Sequence, residues 1–352
     1  MKRDGILIAS LFSLALVTAS CEGRDNSIPG WPWTDPVEEP EPEPDPEPVF
    51  TEANPAIVEL GWENLKDSYG ELPEGINVYK SPATLQDRKA VAFIAVADLS
   101  KAAWNVWSVK CNEYATEEEF KTPSQIYEAQ EKPAIVINGG YFYSWEGNYS
   151  SSLAVIGGEL YNPNINYASQ DWVKVYNPTV GAFVQHADGS FEACWTYYTW
   201  DKKHYMYSEP APNSYDKDPC DTPSESYPCE ARTFEAVTAI GGGPVLLRGG
   251  EIKNSYVEEM LDISADSAQP RTAIGITADK KLIFFVCEGR EMTEGVAGMT
   301  TEDVAKVMKS LGCVDAMNLD GGGSSCMLIN GQETIKGTDG SQRAVASAVV
   351  MK

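Results

Sequence analysis

The chain has 352 residues, a formal charge of −25 at pH 7, eight Cys and only two His. So acidic a chain is excluded from binding nucleic acid through a broad basic face. His186 and His204 are too few for a His-cluster catalyst or a His-rich metal site, and the lack of any CxxC pair removes a cysteine zinc site.

Lys2 and Arg3 precede an apolar run from Ile6 to Val17, then Thr18-Ala19-Ser20-Cys21. A basic start, a short apolar core and small residues predict a signal peptide over 1–20. The run is too short to span a bilayer. Cys21 directly after the small residues predicts a bacterial lipobox, with Cys21 as the lipid-bearing first residue of the mature chain. An ordinary signal peptide with an incidental Cys is the alternative. Residues 21–55 hold Trp31-Pro32-Trp33 and then Glu-Pro alternation from Glu39 to Pro48. Proline fixes φ and the carboxylates repel, so this segment reads as an extended, solvated stalk. The expected location is the bacterial cell envelope, lipid-anchored at the outer membrane or cell surface. The only membrane contact expected is the Cys21 lipid.

Residues 56–352 are long enough for one large domain. Ala90 to Ala97 is an apolar run that suits a buried strand, and Asn105 to Lys110 reads as its hairpin partner. Pro123 opens a short amphipathic helix to Glu131, and Pro133 ends it. Ala134 to Ile137 then reads as a buried strand that delivers Asn138-Gly139-Gly140 to its end. Val155 to Leu160 is a hairpin pattern. The stretch from Cys194 to Tyr207 holds Trp195, Tyr197, Tyr198, Trp200, Tyr205 and Tyr207. Aromatics at strand spacing suit core or cross-strand pairs; a sugar-facing surface is the alternative.

Residues 209–230 form a polar, Pro-rich insertion. Cys220 and Cys229 flank part of it and suit a local disulfide in an oxidising compartment. Asp216, Asp218 and Asp221 leave room for a loosely held calcium ion, although the spacing fits no EF-hand loop. No cofactor is required by the sequence. Arg271 to Thr277 and Lys281 to Val286 form a hairpin pattern through Ala278-Asp279-Lys280. Thr300 to Leu311 is the clearest helix, with a capping Thr300, an apolar stripe and Gly312 as its stop. Cys326 to Ile329 turns at Asn330-Gly331, and Ala344 to Val350 is a closing strand. Hairpins outnumber helices, which predicts an α+β domain of mostly antiparallel or mixed sheets.

The stretch Asn318-Leu319-Asp320-Gly321-Gly322-Gly323-Ser324-Ser325 is the densest cluster of small and polar residues. Three glycines leave the backbone open to a ligand. A tight loop of small residues would look the same. Further segments stand in order with it: Ile137-Asn138-Gly139-Gly140-Tyr141-Phe142, Ala239-Ile240-Gly241-Gly242-Gly243-Pro244, Arg271-Thr272-Ala273-Ile274-Gly275 and Glu288-Gly289-Arg290. Together these motifs resemble the phosphodiester glycosidase family over roughly residues 90 to 352. The resemblance implies a hydrolase that cleaves the sugar C1–O bond of a sugar-1-phosphodiester of the N-acetylglucosamine-phospho-sugar type. A non-catalytic glycan-binding lipoprotein and a phosphodiesterase cutting P–O are the competing readings.

Glycine turns at 138–140, 241–243 and 321–323 all follow strand-like runs. Converging, Gly139, Gly140, Gly241, Gly242, Gly243, Gly321, Gly322 and Gly323 would floor a pocket with backbone N–H groups suited to an oxyanion or a sugar hydroxyl. Arg271 and Arg290 lie at the start of one hairpin strand and just past the end of its partner, placed to hold a phosphodiester. Asp320 and Glu288 are the candidate catalytic carboxylates. A phosphate monoester leaves readily, so a general acid matters less than a base or nucleophile. Asn138, Ser324 and Ser325 are candidates to orient sugar or phosphate oxygens. The expected partner is a phosphosugar or glycan, with no nucleic acid. His186 precedes a turn and reads as structural.

If Cys21 carries the anchoring lipid, Cys21→Ser moves the protein from the membrane fraction to the soluble fraction. Unchanged fractionation rejects the lipobox.

Overall fold

The strand Ala92–Asp98 is buried at nearly every position, as a strand covered on both faces must be. It belongs to a computed structural model that describes residues 53–65, 67–111, 119–143 and 148–352. The predicted signal peptide, nearly all of the stalk and Cys21 lie outside the described residues. Ala92–Asp98 pairs with Ile76–Lys80 on one side and Lys281–Cys287 on the other. Asn105 to Lys110 is therefore not its hairpin partner. Trp104–Ser108 instead pairs antiparallel with Ser347–Met351, at the far end of the sequence.

Among the described residues the strands form three large antiparallel sheets of eight, seven and five strands, with two small two-stranded sheets. Their inner faces share one apolar core. Phe284 and Ile274 enter it from the eight-stranded sheet, Phe183 and Trp195 from the seven-stranded sheet, and Ile137 and Val349 from the five-stranded sheet. The outer face of the eight-stranded sheet is covered by the helix Thr301–Ser310 through Val304, Val307 and Met308. Thr300 caps this helix in a reciprocal box with Asp303. The helix Pro123–Ala129 has the same device, built from Thr122 and Gln125. Few helices and mostly antiparallel strands give the α+β domain that the sequence predicts.

The hairpins at Ala154–Ile156 with Glu159–Asn162, at Arg271–Thr277 with Lys281–Cys287 and at Met327–Ile329 with Gln332–Glu333 stand where local pattern places them. Asn330 and Gly331 turn the last of these at φ 47 and φ 77, as a primed turn requires. Trp195, Tyr197 and Tyr207 are buried, so this aromatic stretch is mainly core. Cys220 and Cys229 are free thiols rather than a disulfide. The Cys220 thiol points to Asn213 Oδ1 at 2.9 Å, and Cys229 lies 3.6 Å from the Ser208 hydroxyl. Asp218 pairs with Lys174, and the described residues hold no cluster of three metal-ligating side chains.

The strands Ile135–Asn138, Thr238–Gly241 and Cys313–Asn318 bring their glycine-rich ends together. Packing there leaves no room for side chains. A Cβ on Gly140 would lie 2.4 Å from Gly241 O and 2.4 Å from Ser152 Cβ. Gly140→Ala should cost about 1–3 kcal/mol through overpacking, and a thermal melt should show a drop of at least about 3 °C.

Candidate active site

Asn138 is fully buried and joins two of the glycine segments. Its Nδ2 donates to the Asp320 carbonyl at 2.7 Å. Its Oδ1 accepts from Thr272 Oγ1 at 2.8 Å and from the Cys326 amide at 3.1 Å. The Asp320 amide donates to Gly139 O at 3.0 Å. Asn318 does the same work toward the third segment: its Nδ2 donates to Gly243 O at 2.9 Å and to Tyr141 Oη at 3.1 Å. The Tyr141 hydroxyl donates onward to Gly243 O at 2.6 Å.

Above this lattice lies a cavity of about 310 Å³, lined in part by Tyr141, Asp262, Arg271, Arg290, Asp320 and the loop Gly321-Gly322. Asp320, Arg271, Arg290, Gly321 and Gly322 are thus brought together. The other glycines are not in the cavity wall. The amides of Gly139, Gly140, Gly241, Gly242 and Gly243 donate to Ser347 O, Ser347 Oγ, Leu153 O, Gly181 O and Asn318 O. They cannot floor a pocket for a ligand. Their small size serves close approach of backbone to backbone, which corrects the expectation of three converging anion-binding turns. Within the third turn, the Gly321 amide donates to Asp320 Oδ1 and the Gly322 amide to Pro270 O.

Arg271 also differs from its expected role. It is buried, and its guanidinium donates to four carbonyls, those of Met299, Ile263, Ser264 and Ser267. A guanidinium has five N–H donors, so little remains for a phosphate. Arg271 holds the 263–267 segment, whose Ile263 and Ser264 line the cavity. Arg290 stays available. It adopts φ 54, anchors its Nε to Gln269 Oε1 at 2.8 Å, and reaches over the glycine loop, where a Cβ on Gly322 would meet its Nη2 at 2.9 Å.

Glu288 does not line the cavity. It is buried, with Oε1 accepting from the Lys336 amide at 3.0 Å and Oε2 without a protein donor. Ser324 and Ser325 are buried too, with hydroxyls that find no full hydrogen bond. His186 sits in a turn and binds Glu192 Oε1 at 2.7 Å, as part of an ion network with Arg232 and Arg248.

Two residues go unmentioned in the sequence reading. Arg343 pairs with Asp339, Nη2 to Oδ2 at 2.7 Å. A Cβ on Gly323 would lie 2.2 Å from Arg343 Nη2 and 2.6 Å from Asp339 Oδ2. The pair therefore packs on the glycine loop beside Asp320. Arg343 lies in a Gly- and Ser-rich stretch without periodicity, so no local signal marks it. Desolvation pushes the Asp320 carboxyl up to about 6, against the lowering effects of the nearby Ser324 hydroxyl, the Arg343 charge and the Gly321 amide. One cavity therefore holds Asp320, its carboxyl raised toward neutrality, beside Arg271 and Arg290, while Arg343 packs on the same glycine loop.

The sequence profile of the phosphodiester glycosidase family matches residues 131–352. The chain belongs to the phosphodiester glycosidase family. Its match with a Bacillus subtilis SPbeta prophage-derived uncharacterized protein is 35% identical over 82 residues, 23% of this chain and 12% of that protein. The chain thus spans a small part of that relative's length. Two solved structures share the fold of this chain. One is a hypothetical protein from Synechocystis, with TM-score 0.52 and 15% identity over 79% of this chain and 62% of that one. The other is the zebrafish N-acetylglucosamine-1-phosphodiester alpha-N-acetylglucosaminidase catalytic domain, auto-inhibited by its pro-peptide. It gives TM-score 0.52 and 21% identity over 81% of this chain and 85% of that one.

The titration of Asp320 has a definite sign. Its folded pKa lies above the ordinary 3.8, so the folded state holds more protons than the unfolded state between pH 3.8 and about 6. Its contribution to stability falls as pH rises through that window. Asp320→Asn should therefore leave the melting temperature at pH 7.5 equal or higher. A carbon-detected NMR titration should place the Asp320 midpoint near 6, and Arg343→Ala should move it upward by removing a favourable charge. A midpoint near 4, unchanged by Arg343→Ala, would contradict this electrostatic picture.

Proposed function

We propose that this phosphodiester glycosidase hydrolyses a sugar-1-phosphodiester of the N-acetylglucosamine-phospho-sugar type at the sugar C1–O bond, releasing the sugar and a phosphomonoester. The observation that carries the reading is that Asp320 and Arg290 line one cavity at a glycine loop against which Arg343 packs. The leaving group is a phosphate monoester, which departs as an anion without a strong acid. The cavity lining includes neither Glu288 nor a histidine, and Asp262 is its carboxylate besides Asp320.

In this mechanism the ionised Asp320 acts on the anomeric centre, as base toward water or as nucleophile. Arg290 and Arg343 meet the phosphate, whose negative charge grows as the C1–O bond breaks. Tyr141 faces the cavity with its hydroxyl tied to Gly243 O, so it offers a ring face rather than a proton. Burial and the neighbouring Asp320 charge raise its pKa far beyond any working pH. Arg271 keeps the 263–267 wall in place and has a positioning role. The predicted lipid anchor and acidic stalk further suggest an enzyme displayed in the cell envelope, meeting its substrate outside the cytoplasm.

The test is incubation of the full-length protein with an N-acetylglucosamine-1-phospho-sugar in ¹⁸O-labelled water. Label in the free sugar supports C1–O cleavage. Label in phosphate means P–O cleavage, and no turnover means a binding protein; either result rejects the proposal. Asp320→Asn should lower kcat by roughly 100-fold or more with binding retained. Arg343→Ala should raise KM by roughly 10-fold or more, the worth of a charged hydrogen bond. Activity should fall as pH drops through about 6, as Asp320 takes up its proton.

A further inference from the structure

The aromatic stretch at 194–207 is mostly core, yet a different set of aromatics faces solvent beside the cavity. Tyr143 lies two residues past Tyr141, which lines the cavity, and pairs across a short hairpin with Tyr149. Tyr143 and Tyr167 are 42% and 43% exposed. The Ile165 amide donates to Ser151 O at 2.9 Å, which sets the segment carrying Tyr167 against the strand that carries Tyr149. Tyr215 belongs to the 209–230 insertion, where the Tyr176 hydroxyl donates to Lys217 O at 2.8 Å, and it feels the charge of Asp262, a cavity-lining residue. Its ring packs edge-on against Tyr176, centroids 5.4 Å apart.

Tyr176 closes the next loop by a two-way backbone bridge with Ala168, the neighbour of Tyr167. That loop is tightly built. Ser169 Oγ accepts the Trp172 amide at 2.8 Å and donates to Lys174 O at 2.7 Å. Asp171 Oδ1 accepts the amides of Val173 and Lys174 at 2.9 and 3.0 Å. The loop nevertheless presents Trp172 at 79% exposure, with φ 60. Val173 and Val175 are exposed beside it, so the loop presents a contiguous apolar patch rather than a single ring.

We propose that Tyr143, Tyr167, Tyr215 and Trp172 form a subsite for a neutral glycan that continues from the sugar held in the cavity. This rests on the glycosidase reading for the occupant of the cavity itself. Sugar rings offer flat C–H faces to aromatic rings and hydroxyls to polar tips, and Tyr supplies both. Charge selects among glycans. Asp171, Asp218 and Asp262 border the surface, and Lys174 is already paired with Asp218 at 2.7 Å. An acidic polysaccharide would be repelled. The substrate class that follows is a phosphodiester in which a neutral oligosaccharide, rather than a single sugar, lies on the cavity side.

The experiment titrates the full-length protein and its Asp320→Asn variant with neutral oligosaccharides of one, three and six units, drawn from chitin and mannan series. The readouts are calorimetry and tryptophan fluorescence. The expected result is affinity that rises at least about tenfold from one to six units in one series. Trp172→Ala and Tyr215→Ala should each weaken the hexasaccharide by about tenfold, the loss of one stacked ring. Tyr167→Phe, which keeps the ring, should bind nearly as the parent, and thermal melts confirm that each variant folds. Affinity independent of length, or untouched by Trp172→Ala and Tyr215→Ala, overturns the subsite. So does capture of apolar peptides in preference to every oligosaccharide. The two readings separate cleanly: a bound hexasaccharide without hydrolysis of a sugar-1-phosphodiester defeats the glycosidase reading alone, and hydrolysis without length dependence defeats the subsite alone.

Discussion

The position of Asp320 depends on one buried amide, that of Asn138. A carboxamide offers two donors and one acceptor oxygen in a plane, and here it reaches the Asp320 carbonyl, the Thr272 hydroxyl and the Cys326 amide together. Those three groups come from different strands and loops. A hydrophobic side chain of the same size would leave them without partners in a dry interior, at about 1–3 kcal/mol for each. Asn318 repeats the device toward Gly243 and Tyr141. The glycines follow from this lacing. Backbones joined by side-chain amides and direct N–H···O bonds approach so closely that a Cβ on Gly140 or Gly241 would collide with its neighbour.

Burial divides the arginines into two kinds. Arg271 lies inside the wall with its donors turned onto backbone carbonyls, where it replaces water for a segment that has no sheet partner. Arg290 and Arg343 are exposed at the glycine loop, where the proposed reaction would bring an anion. The same residue type is thus part of the wall in one place and open to solvent in another, and burial separates the two.

Hairpins and capped helices were legible because their signals are local. The turn at Asn330-Gly331, the capping Thr300 and the strand pair around Ala278 to Lys280 each carry their instructions within a few residues. The pairing of Trp104–Ser108 with Ser347–Met351 was not legible, since nothing in either segment names a partner so far away. For the site, the motif around Asp320 was visible as a cluster of residue types. The function of its glycines was not, because close packing and anion binding ask for the same missing side chain. Glu288 looked equivalent to Asp320 in sequence, and only the direction of its side chain, toward the Lys336 amide, separates them. Arg343 stood in a stretch with no periodicity at all.

The ion pair between Asp339 and Arg343 bears on how a reaction of this kind ends. A phosphodiester carries one negative charge, whereas the monoester product approaches two, its second ionisation falling near about pH 6. Two unopposed guanidiniums would therefore grip the product more tightly than the substrate and slow each turnover at its last step. Asp339 shares Arg343 from the start. In the proposed reaction it would reduce the net positive charge felt by a departing dianion and offer the guanidinium a partner to return to. In the proposed reaction Asp339 would thus compete with the phosphate for Arg343 and favour release.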